Sequence, residues 1–111
     1  MISRCLGSPV ARTLLPPARS AIGCLVSAEE VFAGFVPACT QASPDHETLV
    51  RALRAMNLAR YLETLATTEI RCAINEGRTA FLFAADRYAR MAYDQAAAAI
   101  PLLTPCSEVN P

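Results

Sequence analysis

The sequence predicts an all-α protein: a long helical hairpin preceded by a short N-terminal helix. Three observations predict it. Residues 45–75 contain neither Gly nor Pro and are dominated by Ala, Leu, Arg and Glu, all good helix formers. A second run without Gly or Pro, 78–100, follows a single Gly77. No stretch alternates β-branched and polar residues with the period of two that a strand requires.

The first element is signalled by Ser27-Ala28-Glu29-Glu30, which reads as a capping box. Val31/Phe35 and Phe32/Val36 follow at i, i+4, and Pro37 is expected to end this helix. Two and a half turns are unstable alone, so both Phe must pack on something.

The second element starts at Ser43-Pro44-Asp45-His46-Glu47. Ser43 suits the N-cap and Pro44 the first helical position, and Asp45 and Glu47 suit the positive end of the dipole. The expectation is one long helix over 44–75, with a break near Asn57 as the alternative. At about 100° per residue, Leu49, Leu53 and Met56 cluster on one side. Beyond Asn57, Leu58, Tyr61, Leu62, Leu65 and Cys72 fall on another, between about 120° and 220° from Leu49. A straight helix with two stripes needs two partners, so Leu49, Leu53 and Met56 are candidate residues of a homodimer interface. A kink at Asn57 would instead turn both stripes to one core.

Asn75-Glu76-Gly77 reads as a stop, with Gly77 in the left-handed position after the last turn. Thr79 can open the third element, which Pro101 is expected to end. Phe81, Ala85, Tyr88, Ala92, Ala96 and Ala99 form its apolar stripe. The opposite face carries Asp86, Arg87, Arg90 and Asp94, with Asp86–Arg90 and Arg90–Asp94 both at i, i+4. Phe83 falls on that charged face, which makes it a candidate partner contact unless the N-terminal arm covers it.

Residues 1–26 read as a flexible basic arm, 27–100 as one helical domain and 101–111 as an extended tail. Residues 1–28 hold three Arg and no acid, whereas 29–111 hold seven Arg against ten acids. The zero net charge is therefore a +3 arm on a −3 body, and a mildly acidic body argues against nucleic acid. Basic residues before a short apolar stretch also allow a secretory signal or an organelle transit segment, cleaved after Val26-Ser27-Ala28. No run approaches the ~18 apolar residues of a membrane span.

Chemistry is restricted. All ten cations are Arg, so lysine chemistry is closed, and His46 is the only imidazole. Cys5, Cys24, Cys39, Cys72 and Cys106 include no C-x-x-C pair of the kind that zinc or redox motifs use. A Cys39–His46 dyad lacks any orienting group in the sequence, and Glu63, Glu69 and Glu76 suit a solvated face. No cofactor or metal is implied.

Pro44-Asp45-His46-Glu47-Thr48-Leu49-Val50-Arg51-Ala52-Leu53 resembles the P-D-x-x-T-E-x-L-L-x-x-A opening of small uncharacterised helical proteins common in pseudomonads. Ile74-Asn75-Glu76-Gly77-Arg78 is similar to their L-x-G-x-x-R helix junction, although here Arg78 directly follows Gly77. The resemblance, over 44–100, implies a helical hairpin and no particular activity.

The functional expectation is a cytoplasmic, non-enzymatic protein-binding regulator, homodimeric, contacting a partner through Phe83, Arg87, Arg90 and Tyr61. By analogy with small antiactivators, the partner would be a transcription factor. The alternatives are a thiol-based sensor or enzyme using Cys39 or Cys72, and an exported protein with a cleaved arm.

Overall fold

In a computed structural model, residues 15–103 are described. They form three helices: α1, Pro16–Ala42; α2, His46–Glu76; and α3, Ala80–Leu103. The chain is all-α, as the sequence predicts, and elongated, with extents of 55 × 23 × 20 Å. It runs up, down and up, so α1 and α3 are parallel. α3 packs along α2 and along α1, whereas α1 and α2 touch each other least.

The first helix departs most from expectation. It is 27 residues long and begins inside the segment read as an arm. Pro16 and Pro17 occupy its first positions, where a missing N–H costs nothing. The carbonyl of Leu15 accepts from the amides of Ala18 and Arg19 at 2.9 and 3.0 Å. Ser27 and Glu30 are therefore mid-helix residues, not a capping box. Pro37 lies inside the helix on its exposed face, and α1 continues past it to Ala42. Phe32, Phe35 and Cys39, on the other side, pack into the core and hold the backbone helical across the lost hydrogen bond. Only residues 1–14 of the expected arm lie outside the described residues.

The turn into α2 shifts by two residues. Ser43 is the left-handed C-cap of α1, at φ 46°, and its amide donates to the Cys39 carbonyl at 2.9 Å. Asp45 is the N-cap of α2, its Oδ1 accepting from the Thr48 amide at 2.8 Å. That backbone hydrogen bond holds the Asp45 carboxyl below its ordinary value. α2 runs unbroken through Asn57 for 31 residues and stops at Gly77, at φ 65°, where the sequence places the stop. α3 passes Pro101 by one more half-turn, because Leu103 is buried in the core. The expected tail therefore starts later, and 104–111 lie outside the described residues.

The core is built from alanine. Twelve of the seventeen buried residues are Ala, so packing depends on close approach of backbones rather than on large side chains. In α3, Ala85, Ala89, Ala92, Ala96, Ala99 and Leu103 are buried, at alternating spacings of four and three. In α2, the buried Ala52, Ala59, Ala66 and Ala73 recur every seventh residue. In α1, Ala18, Ala21, Ala28, Phe32 and Phe35 keep the same register. This seven-residue repeat is the pattern that keeps a straight seam between supercoiled helices.

Two clusters divide the rod. At one end Ala21, Ala66, Ala85 and Ala89 meet, and no residue larger than Ala is fully inside. At the other, Phe32, Phe35, Met56 and Leu103 fill a wider space. The Arg60 guanidinium lies 4.3 Å from the Phe32 ring centroid and roofs it from solvent.

Candidate functional site

The outer face of α3 gathers most of the predicted contact residues. Phe83 is 61% exposed, so α1 does not cover it, and Arg87, one turn on, is exposed beside it. A large aromatic held open to water on a well-packed helix contributes nothing to this chain's core, which makes it the strongest apolar feature of this face.

Arg90 has a structural duty. Its Nε donates to both Asp86 carboxylate oxygens, at 3.1 and 3.2 Å. Its Nη2 donates to Ser20 Oγ on α1 at 3.0 Å. The guanidinium thus clips the parallel helices α1 and α3 together. Burial alone would raise the Asp86 carboxyl. The hydrogen bonds involving Ser20 and Arg90, with the Arg90 charge, outweigh burial and hold it below its ordinary value. Those bonds to Asp86 raise Arg90 in turn. Of the two expected i, i+4 pairs only Asp86–Arg90 closes as an ion pair among the described residues, and Asp94 acts on Arg90 at longer range.

Tyr61 is 60% exposed on α2, about 150° from that helix's core direction. It stands on a different helix from Phe83, Arg87 and Arg90. The stripe of Leu49, Leu53 and Met56 does not survive as one surface. Met56 is 5% exposed and belongs to the Phe32 cluster, so it is core of this chain and not a free interface residue. Leu53 is exposed and Leu49 half-buried. The core direction of α2, marked by its alanines, falls between the two leucine-rich stripes, at about 270° from Leu49.

Two features escape the sequence reading. Glu63 is half-buried rather than on a solvated face, in the register of the buried Met56 and the half-buried Ile70. Burial first and Glu29 of α1 second push its carboxyl up to about 7. Cys24, not singled out by spacing, is half-buried and within electrostatic reach of Arg90. Cys39 packs against the Phe32 cluster and Cys72 is half-buried on α2; both are free thiols. His46 opens α2 and is exposed. No group of three or more His, Cys, Asp or Glu able to hold a metal occurs among the described residues.

α1 is also long and apolar enough to cross a membrane, by length and composition, and only 17% of its most apolar stretch is buried. The Pro and Arg residues that break the run on paper do not break the helix. Such a helix is weak evidence for a span, since core helices and signal sequences share these properties. Leu15, Ile22, Val26 and Ala33 fall within about 40° of one another on its outer side, all exposed.

No family model matches the chain, and no curated protein and no solved structure matches it either.

Proposed function

We propose that this chain is a small helical protein-binding module that works by laying the outer face of α3 against another protein. The observation that carries this reading is Phe83, a large aromatic 61% exposed in the first turn of a 24-residue helix, with Arg87 one turn on. Aromatic residues and Arg are the side chains that most often dominate binding energy at interfaces. A regulatory role by sequestration fits a module of this size, and a transcription factor is the first partner class to try.

Phe83→Ala leaves thermal stability within about 0.5 kcal/mol of the parent, because an exposed site has no packing to lose. The same change, or Arg87→Glu, abolishes capture of any protein that the parent retains in a pulldown read by mass spectrometry. Retention of the same protein by both folded variants would remove this face from consideration.

A second reading, contact with a lipid surface, is favoured by the outer face of α1. Its exposed Leu15, Ile22 and Val26 lie within residues 1–28, which hold three Arg and no acid. An apolar helix face next to basic residues suits an anionic bilayer. On this reading the full chain floats with vesicles containing a third phosphatidylserine, and the double change Ile22→Ser with Val26→Ser returns it to the soluble fraction. A chain that stays at the bottom of the gradient with anionic vesicles excludes this reading.

A further inference from the structure

Two rows of residues border the α1–α2 groove, where the bundle is least closed. From the N-cap of α1 the first row is Leu15, Ile22, Glu29 and Val36. On α2 the second is Leu53, Arg60, Thr67 and Ile74. Within each row the spacing is seven residues, the interval at which the core itself repeats, so both rows keep a fixed bearing to the core. All but Thr67 are exposed. Ile74 and Val36, at 74% and 69%, are the most exposed large apolar side chains among the described residues. Arg60 covers Phe32, and Glu29 and Val36 flank Phe32 at i−3 and i+4. The side of α1 that faces α3, marked by Ser20, is about 170° from the first row. The two rows are therefore the lips of one groove, turned away from α3.

We propose that a second copy of the chain closes this groove, related to the first by a two-fold axis along the rod, so that the α1 row of each copy lies on the α2 row of the other.

The heights of the residues along the rod support this pairing. α1 and α2 run antiparallel, Arg60 lies over Phe32, and Ala21 shares a cluster with Ala66. That register sets Leu15 level with Ile74, Ile22 with Thr67, Glu29 with Arg60 and Val36 with Leu53. Half a turn about the rod brings α1 of a second copy over α2 at unchanged height. Apolar side chains then meet at both ends, Ile22 meets the Thr67 methyl, and Glu29 meets Arg60 of the other copy, twice per dimer. A crosswise two-fold axis would instead set Glu29 against Ile22 and Arg60 against Thr67, with neither charge paired. Among the described residues the ion pair that closes within the chain is Asp86–Arg90, so Glu29 and Arg60 are not joined to each other there. A guanidinium stacked by its face on Phe32 keeps N–H donors along its edge. The surface is also large enough: a rod 55 Å long and 20 Å across presents about 1,100 Å² on one face, above the ~800 Å² per partner of a standard interface. The outer face of α3 stays clear, so Phe83 remains exposed in the dimer.

Light-scattering mass on a sizing column, over a dilution series of the full chain, tests this. At high concentration the mass is expected to approach twice the 11.9 kDa of one chain. Glu29→Arg sets Arg against Arg, and Arg60→Glu sets Glu against Glu, each at two places in the dimer. Either change raises the dissociation constant at least about tenfold. An equimolar mixture of the two variants restores association, because each of those contacts is then Arg against Glu. A contact within one chain cannot be mended by mixing. Val36→Asp, at an exposed side chain with little packing to lose, also weakens the dimer and keeps the circular dichroism of the parent. One chain at every dilution, the result expected if another protein or a lipid surface fills the groove, overturns the proposal. So does a dimer that survives both reversals and Val36→Asp, or a mixture of the two reversals that stays monomeric.

Discussion

Ala89→Leu is expected to destabilise the bundle by about 3 kcal/mol, at the top of the range for overpacking a well-filled core. Ala89 has no exposed surface and meets Ala21 of α1 and Ala66 of α2 in a cluster whose fully buried members are all alanine. A leucine adds three heavy atoms there with no neighbour able to shrink. One of the three backbones must move out, and the layer above and below moves with it. For a domain of this size the loss corresponds to a fall of roughly 12–24 °C in Tm. Ala98→Leu, on the exposed face of the same helix, stays within about 0.5 kcal/mol. The pair separates a steric effect from any general effect of leucine in α3. Thermal melts of both variants are sufficient, and similar Tm values for the two would show that the alanine layer is not close-packed.

The opposite change at the other end of the rod is nearly as damaging. Phe32→Ala removes the ring that spans the wider space between α1 and α2, and a cost of about 3–5 kcal/mol is expected from lost burial and the cavity left behind. Arg60 loses the ring it covers, a contact worth about 0.5–1 kcal/mol at an exposed site. Arg60→Ala should therefore cost that amount in the parent and nothing in a Phe32→Leu background, which keeps an apolar side chain and the fold. Denaturant unfolding of the four proteins gives the cycle. A zero coupling energy would mean that Arg60 merely lies near the ring. The two ends thus respond to opposite errors, one to added volume and the other to removed volume.

The hairpin was legible because its signals are local. Gly77 is needed for a backbone at positive φ, and the Gly- and Pro-free runs on either side are long enough to be helices in any context. The alanine stripe of α3 could be read as well, since its opposite face is marked by Asp86, Arg87, Arg90 and Asp94. α1 was not legible, because the fate of a proline within a helix depends on what holds the backbone on either side. Pro16 and Pro17 begin α1, and Pro37 is carried by the packing of Phe32, Phe35 and Cys39, which no local window contains. The core direction of α2 was missed for a different reason. Leucines draw attention to a stripe, but here Ala52, Ala59, Ala66 and Ala73 face inward and Leu53 and Leu58 are exposed. In a bundle whose backbones lie close together, the small residues mark the inside. At the candidate site, exposure of Phe83 followed from its place on a charged face. The Ser20–Arg90 clip joins residues far apart in sequence, so only the folded chain displays it.

The order of the helices has a consequence for synthesis. α1 leaves the ribosome first, but its main packing partner is α3, at the far end of the chain. Between the last residue of α1 and the last of α3 lie 61 residues, roughly 3–12 s of translation at ~5–20 residues per second. Throughout that interval α1 is a nascent helix with apolar residues on both sides and no sibling to cover either. The first surface available to it in the cell is not its own. Until α3 is made, α1 is open to any other apolar surface it meets.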